Sequence, residues 1–477
     1  MFTTNEIDER DSLKLSYYNI FSDPLDLEGN RVLFNTRSNS RIVISDKCYN
    51  ILLEEDFNRL GSILLNDFIQ KNIVIDKTEQ ELGSIILENA KSLESESTLY
   101  EIIQPSGNCQ LGCYYCGQEH KNISISNDIA DKIIQRIKSK FTQGKYKHLE
   151  IGWFGGEPLM SLVQIRRISH ALKNFVERAN GAYSANMVTN GMSLKSSVFK
   201  ELAQDLKIKK FELTLDGSEE YHDSHRYTKS GHKSFEIIYK NICDILNLPD
   251  FETYKATISI RCNVDQLNEQ GVSELIKKIA EDGFQKKITF YIANIYSWAK
   301  NNAQEQSLTK QEFALKNLKW EIEMIKAGYL NVIKIPERVK KTCIAVGGES
   351  EMYDAYGNIY NCTEVSYTNV YDNTQYVLGN IKFDPFVSFD HKVHNDWNQK
   401  VLNTTEFPCH FCKLFPVCGG SCPKSWEEGQ PACPPFKFGI KKMLELHYIT
   451  ETSLPSKRQF RLDSFKNSLS LENFQRI

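Results

Sequence analysis

The chain of 477 residues carries 58 basic and 61 acidic side chains, a formal net charge of -3, which excludes a global field for nucleic acid or an anionic membrane. With 41% hydrophobic and 25% charged residues it is neither disordered nor fibrous, and its length allows two or three domains. The sequence shows no apolar run that could span a membrane and no signal-peptide pattern at its start. We therefore expect a cytoplasmic protein with neither a membrane nor a nucleic-acid partner.

Residues 1–98 predict a small α+β module. Short β-branched or aromatic runs predict strands near 15–21, 31–35 and 40–44. Apolar residues at helical spacing predict helices over 47–54, 57–70 and 79–92. Three short strands followed by helices give a winged-helix-like topology with its own modest core.

Residues 99–308 repeat a unit of strand, turn and amphipathic helix, which predicts an α/β domain. The six predicted strands are 100–104, 148–154, 185–188, 211–215, 256–263 and 288–293. In the helix that follows the first of these strands, one apolar face is formed by Ile129, Ile133, Ile137 and Phe141. Six units are fewer than the eight of a closed barrel, so we expect a partial (β/α)6 TIM-like barrel, although periodicity alone does not distinguish it from an open sheet.

The rest of the chain divides into three further segments. Residues 309–340 predict a helical bridge, and residues 341–450 form a cysteine-rich domain. Residues 451–477 are polar, with Pro455 and a mixed-charge stretch, and we expect this tail to wrap the surface.

Three of the thirteen cysteines, Cys109, Cys113 and Cys116, follow the first barrel strand in a Cys-x3-Cys-x2-Cys loop. Ligands of parallel sheets lie at the carboxyl ends of the strands, so this loop is placed at the binding edge. Three thiolates leave one position of a metal centre open, as in a [4Fe-4S] cluster that also binds a ligand. A structural zinc site would need a fourth ligand, for which His120 is the nearest residue.

This loop, with Tyr115 in its aromatic position, resembles the signature of the radical SAM superfamily. The resemblance implies that Cys109, Cys113 and Cys116 hold a [4Fe-4S] cluster whose free iron chelates S-adenosylmethionine. The run Gly155, Gly156, Glu157 and Pro158 after the second strand is similar to the family motif that approaches the methionine amino group.

Further cofactor contacts follow from the same resemblance. Arg226 is expected to pair with the cofactor carboxylate, and Thr214 or Asp216 to face the ribose. Arg261 and Asn263 on the fifth strand resemble a further polar pair near the cofactor. Thr189 and Asn190, which follow the third strand at the same edge, complete this predicted site.

Seven cysteines in the last third of the chain form a second constellation. They are Cys343, Cys362, Cys409, Cys412, Cys418, Cys422 and Cys433. By chemistry alone these thiols could hold zinc. Their spacing resembles the SPASM domain, which implies two auxiliary [4Fe-4S] clusters, three clusters in all.

In that family the outer cluster uses the positions of Cys409, Cys412, Cys418 and Cys433, and the inner one those of Cys343, Cys362 and Cys422. A fourth inner ligand is missing from this sequence. Either one iron stays open to substrate or a side chain such as Asp354 or Tyr356 closes the site.

The resemblance implies an oxidoreductase that generates a 5′-deoxyadenosyl radical and cross-links a ribosomally made precursor peptide through a thioether or carbon–carbon bond. The first 98 residues of the chain are similar in topology to the RiPP recognition element, which binds a leader peptide as an added strand. The partners implied are this precursor and an electron donor such as flavodoxin or ferredoxin.

Three alternatives stay open. An anaerobic sulfatase-maturing enzyme, which makes formylglycine, carries an aspartate where this chain has Thr363 after Cys362. A peptide epimerase would use the same radical. A binding module without catalysis would not need Gly155 to Pro158 placed beside Cys109.

Overall fold

The computed structural model describes residues 10–297, 301–389 and 392–475. It begins with a small α+β module whose elements are β1 (Leu13–Leu15), β2 (Asn19–Phe21), β3 (Arg31–Asn35), β4 (Ser40–Ile44), α1 (Asp46–Glu54), α2 (Ser62–Gln70), β5 (Val74–Asp76) and α3 (Glu81–Glu94). β2, β3 and β4 form an antiparallel sheet in that order, while β1 pairs with β5. Helices α1 and α2 pack against this sheet around Leu33, Leu52 and Phe68.

This module differs from the sequence prediction in two places. The strand predicted near 15–21 is two strands in separate sheets, because the chain turns at Ser16, whose N–H donates to the Ile73 carbonyl at 3.0 Å. The helix predicted over 57–70 is interrupted, since Leu60 is extended and α2 begins only after Gly61. The three-residue strand β5 was not predicted.

The barrel domain contains all six predicted strands, within three residues of their expected bounds. Its elements are β6 (Thr98–Ile103), α4 (Asn127–Gln143), β7 (His148–Trp153), α5 (Leu162–Arg178), β8 (Ala182–Thr189), α6 (Ser196–Gln204), β9 (Ile208–Thr214), α7 (Glu219–His225), α8 (Phe235–Leu246), β10 (Thr257–Val264), α9 (Glu269–Glu281) and β11 (Ile288–Asn294). Neighbours run in parallel in the order β11-β10-β9-β8-β7-β6, which confirms an α/β fold built on a six-stranded parallel sheet.

The two faces of this sheet differ in polarity. One face packs against the helices through side chains such as Leu149, Ile151 and Trp153, which have no exposed surface. The strand registers place polar side chains on the other face, and these are Glu150, Ser184, Asn186, Lys210, Glu212, Ser259, Arg261 and Tyr291. We call this the polar face. It leads up to the carboxyl edge where the first cysteine loop lies.

The cysteine-rich region extends the same sheet, which the sequence did not predict. Strands β12 (Met352–Tyr353), β13 (Asn358–Tyr360) and β14 (Gly379–Asn380) continue the order from β6. The N–H of Ile102 donates to the Glu351 carbonyl at 2.9 Å and that of Gln104 to the Tyr353 carbonyl at 2.8 Å. The barrel and the cysteine-rich region therefore share one backbone ladder.

A buried charge cluster fixes this junction. The Glu351 carboxylate, whose side chain is 2% exposed, accepts from Nε of Arg136 at 2.7 Å and Nη2 at 2.9 Å. Lys140 lies 3.1 Å from the same carboxylate, and the Tyr353 hydroxyl donates to both Glu351 and Glu101. Arg136 was not expected inside, because only the apolar spacing of α4 was visible in the sequence.

The C-terminal part forms a second core. Its helices are α10 (Lys310–Lys326), α11 (Trp397–Asn403), α12 (Phe415–Cys418), α13 (Pro423–Glu427), α14 (Phe436–Thr452) and α15 (Pro455–Ser468). The tail expected to wrap the surface instead contains α15, which buries Leu462 and Phe465, and the final turn buries Phe474. Within the described residues, no helix combines the length and the apolar character needed to cross a bilayer.

Candidate active site

The loop of Cys109, Cys113 and Cys116 lies over the carboxyl edge of the sheet and brings its thiols close together. Burial raises the pKa of Cys113 to about 12; the Arg226 guanidinium opposes the rise, and charges on Cys116 and Cys109 add to it. Nδ2 of Asn190 lies 3.5 Å from the Cys109 sulfur, so this predicted residue contacts the predicted ligand. A metal centre binds cysteine as the thiolate, so binding of a centre here would displace these protons.

The turn at Gly155 and Gly156 packs against the segment that leads into this loop. Both residues have positive φ, and a Cβ on Gly156 would lie 2.6 Å from the Asn108 carbonyl oxygen, so only glycine fits. The Gly156 N–H donates to Oε1 of Gln118 at 2.9 Å, and the Glu157 N–H donates to the Asn108 carbonyl at 2.8 Å. The motif therefore supports the cysteine loop directly.

The Glu157 carboxylate joins the ends of β7 and β8. It is fully buried and accepts from the Thr189 hydroxyl at 2.7 Å and from the backbone N–H groups of Asn190 and Leu159. Burial raises its pKa and these three donors lower it. The sequence expectation placed this carboxylate toward a cofactor amino group, whereas three protein donors occupy it here. Pro158 begins the short turn that follows.

Four further predicted residues converge on one buried hub. The Tyr115 hydroxyl donates to Oδ2 of Asp216 at 2.5 Å and accepts from Arg226 at 2.6 Å and from Nδ2 of Asn263 at 3.0 Å. The other Asp216 oxygen accepts from the Asn263 N–H at 2.9 Å. Asp216 thus binds protein groups, where the sequence placed it or Thr214 against a ribose.

One buried donor of this hub, in the Arg226 side chain, lacks a hydrogen-bond acceptor. Nε of Arg226 is buried without a hydrogen-bond partner. Burial opposes the charged form of this guanidinium, and the neighbouring acidic groups favour it. An unpaired buried guanidinium N–H is costly, and an anionic group supplied by a ligand would remove that cost. The hub therefore fits the cofactor carboxylate that the sequence assigned to Arg226.

Arg261 and Thr214 lie next to this hub. Nε of Arg261 donates to Oδ1 of Asn263 at 2.7 Å, and its side chain is 42% exposed on the polar face. Thr214 pairs with Arg261 in the strand register and is buried.

Sequence reasoning missed several residues around the site. The Tyr114 hydroxyl donates to Asp265, and the buried His225 ring lies 5.1 Å from the Tyr114 ring. Gln104 follows β6 and lies beside Gly155, and both polar atoms of its side chain are buried without a partner. Gln104 lies at the end of the first predicted strand and His225 directly precedes the predicted Arg226, but their residue types alone gave no signal.

The seven cysteines of the last third of the chain lie in two groups. Burial raises the pKa of Cys362, and the charges of Glu364, Cys422 and Cys343 add to that rise. Burial raises the pKa of Cys409 to about 12, with added charge from Cys418, Cys412 and Cys433. These last four cysteines line one cavity.

The candidates for a fourth inner ligand differ in their environment. Both Asp354 oxygens accept from the β12–β13 turn, namely from the N–H of Tyr356, the N–H and Nδ2 of Asn358 and the hydroxyl of Tyr360. Four donors saturate a carboxylate, so Asp354 holds this turn. Glu364, two residues after Cys362, is the acid that faces the inner group.

The donor chemistry of each group fits an iron–sulfur centre. Among the described residues, no three His, Cys, Asp or Glu side chains are arranged to hold a single metal ion. A [4Fe-4S] cluster is instead bound by cysteine thiolates, each of which ligates a different iron. Three thiols beside a partnerless Arg226 N–H, and four around one cavity, supply such sets.

Comparison with known proteins supports the resemblance of the first cysteine loop to the radical SAM superfamily. Residues 103–247 match the family model described as the radical SAM superfamily. This family implies a [4Fe-4S] cluster that binds S-adenosylmethionine.

Two curated relatives and one solved structure are similar to the chain. The radical SAM cyclopropyl synthase TigE of Paramaledivibacter caminithermalis is 23% identical over 424 residues, covering 80% of this chain and 82% of that protein. The cysteine-type anaerobic sulfatase-maturating enzyme of Clostridium novyi is 22% identical, covering 74% and 98%. The structure of native anSMEcpe with bound AdoMet and the Cp18Cys peptide gives a TM-score of 0.55 at 18% identity, covering 78% of this chain and all of that one. This last likeness shows the fold.

Proposed function

We propose that this protein is a radical SAM and SPASM peptide maturase that oxidatively cross-links a ribosomally synthesised precursor peptide. One observation carries the proposal: the segment after Cys362 lies close to the barrel interior. Burial raises the pKa of Glu364, and the charges of Lys424 and then of Arg261, on the polar face, lower it. An auxiliary centre at Cys343, Cys362 and Cys422 would therefore lie beside the chamber where substrate meets the radical.

The residues around the first loop have assignable roles in this proposal. When bound, the cluster and S-adenosylmethionine supply a 5′-deoxyadenosyl radical that abstracts hydrogen from an unactivated carbon. Arg226 and Asn263 orient the cofactor, and Asn190 contacts the Cys109 sulfur. Buried Trp153 and Leu213 back the sheet behind the site and exclude water from that side.

Oxidative bond formation removes two electrons, and the auxiliary centres give the second electron a place to go. Two separate thiol groups support two such centres. We assign the outer one to Cys409, Cys412, Cys418 and Cys433, and we propose flavodoxin or ferredoxin as the external electron donor in the cytoplasm.

The N-terminal module supports a peptide substrate. β4 is one of the two outer strands of the three-stranded sheet among the described residues, and the side chain of Val43 on it is 51% exposed. An exposed strand edge can bind an extended leader peptide by strand addition. The relative TigE is named as a cyclopropyl synthase, a name that also describes ring closure by bond formation.

Formylglycine formation is the second candidate, favoured by the curated relative that is named as a sulfatase-maturating enzyme. Thr363 stands where that family carries an aspartate after the cysteine matched by Cys362, and this opposes it. Epimerisation would leave the peptide mass unchanged.

The test is the intact mass of a precursor peptide encoded beside this gene, co-expressed anaerobically with the enzyme. Cross-linking removes two hydrogens, so we expect a loss of about 2 Da for each event. The Cys113→Ala variant is the control that should leave the mass unchanged. Loss of the cysteine sulfur would indicate formylglycine, and an unchanged mass with deuterium uptake would indicate epimerisation; either result overturns the proposal.

A further inference from the structure

A buried lysine lies among the outer cysteines. Lys437, in the first turn of α14, is 4% exposed and lines the cavity formed by Cys409, Cys412, Cys418 and Cys433. Its Nζ lies 3.3 Å from the Cys412 sulfur and 3.7 Å from the Cys433 sulfur. Both distances are those of N–H···S hydrogen bonds.

An ammonium group inside a protein needs a partner of opposite charge. Within the described residues, no carboxylate forms an ion pair with Lys437, whereas Lys441 and Lys442 on the same helix both face Asp23. The thiolates of the cysteine group are the anions within reach. Lys437 therefore contacts the sulfurs of two cysteines assigned as ligands, and these sulfurs take the place of the carboxylate that usually pairs with a buried lysine.

Cys409 and Cys418 line the same cavity as Lys437. Lys310, at the start of α10, is a second cation near Cys433. The pocket is therefore electropositive on the side of α10 and α14.

We propose that Lys437 is a positioning residue that donates hydrogen bonds to the Cys412 and Cys433 thiolates and raises the reduction potential of the outer auxiliary centre. Uptake of one electron makes a thiolate-bound centre more negative by one charge. A fixed cation in contact with its ligand sulfurs favours the reduced form, and hydrogen bonds to those sulfurs act in the same direction. The inference rests on the auxiliary centre of the proposed function and assigns that centre as the preferred acceptor of the second electron.

The experiment is a potentiometric titration of the anaerobically reconstituted full-length protein, followed by electron paramagnetic resonance without peptide. The outer signal is the one lost in Cys409→Ala. We expect Lys437→Met to shift the midpoint of this signal to a more negative potential. Lys437→Arg keeps the positive charge, so its midpoint should lie close to that of the wild type. Lys441→Met is the matched control, because Lys441 lies one turn further along α14 with its side chain 47% exposed, and its midpoint should equal that of the wild type.

An unchanged midpoint in Lys437→Met, at wild-type iron and sulfide content, would overturn the inference. If Lys437→Met does not retain iron, Lys437→Gln keeps a neutral donor of similar length, and it should give a smaller shift in the same direction; a wild-type midpoint would again overturn the inference. The readout needs no product. A shifted potential without peptide modification would refute the proposed function alone, and modification with an unshifted potential would refute only the role of Lys437.

Discussion

The buried carboxylate of Glu351 should control how firmly the cysteine-rich region is joined to the barrel. Replacing it in Glu351→Gln keeps the shape of the side chain but removes the negative charge that Arg136, Lys140 and Lys392 surround. These cations outweigh burial and hold the pKa of Glu351 below its ordinary value. The glutamine leaves them without their counter-charge at the β6–β12 junction.

The expected cost follows from the geometry. Glu351 accepts two hydrogen bonds from Arg136 at 2.7 and 2.9 Å, and its side chain is only 2% exposed. Removal of one partner from a buried ion pair costs about 3–5 kcal/mol. Here Glu101 remains close to Lys140 and offsets part of the loss, so we expect about 3 kcal/mol.

The assay is hydrogen exchange of the Ile102 and Gln104 amides, which donate across the junction to Glu351 and Tyr353. A loss of about 3 kcal/mol in local stability raises their exchange by roughly 100-fold, since 1.4 kcal/mol is a factor of ten. Local exchange is preferable to a global melt, because a chain of several domains does not unfold in two states.

The matched control is Glu201→Gln, which breaks a bidentate pair with Arg166 on the surface, where the two side chains are 27% and 43% exposed. Exposed pairs contribute about 0–1 kcal/mol, so its local exchange should rise no more than about fivefold. Equal exchange at Ile102 in wild type and Glu351→Gln would refute the reasoning that this charge cluster fixes the junction.

Three further predictions concern pH, the glycine turn and the cysteine groups. Burial raises the pKa of Glu321 to about 8, so its contribution to stability is fully present below the ordinary value of 4.5 and is lost as pH rises through 8. Glu321→Gln should therefore slow hydrogen exchange of the α10 amides at pH 7 by the equivalent of about 3 kcal/mol and leave it unchanged near pH 4. Gly156→Ala places a Cβ 2.6 Å from a backbone carbonyl and should abolish binding of S-adenosylmethionine by equilibrium dialysis, whereas Gly61→Ala, with open space around it and a negative φ, should bind normally. Cys109→Ala should abolish 5′-deoxyadenosine formation while Cys433→Ala retains it but yields no modified peptide, and full activity in Cys433→Ala would contradict an auxiliary role.

Local sequence was enough to place the strands and the edge that binds ligands. The six strands after Thr98 were found because β-branched runs alternate with amphipathic helices, and parallel strands put their following loops at one edge. The convergence of Cys109, Gly156, Asn190 and Asp216 follows from that rule, since each comes directly after a strand.

Contacts between distant segments could not be read in this way. Asp216 binds Tyr115, 101 residues away, and Asn263, 47 residues away, and nothing in the neighbouring sequence distinguishes that role from contact with a ribose. The C-terminal helix α15 has polar residues on most sides, so its pattern did not show that Leu462 and Phe465 pack into the second core.

The sequence by itself determined the repeated β/α architecture and the three sets of cysteines, because hydrophobic periodicity and ligand spacing are properties of short segments. Only the tertiary structure decided that β12 joins β6 through buried Glu351 and Arg136, and that Lys437 contacts the outer sulfurs. A lysine or arginine is ordinarily a solvated residue, and its burial depends on which distant anions the folded chain brings to it.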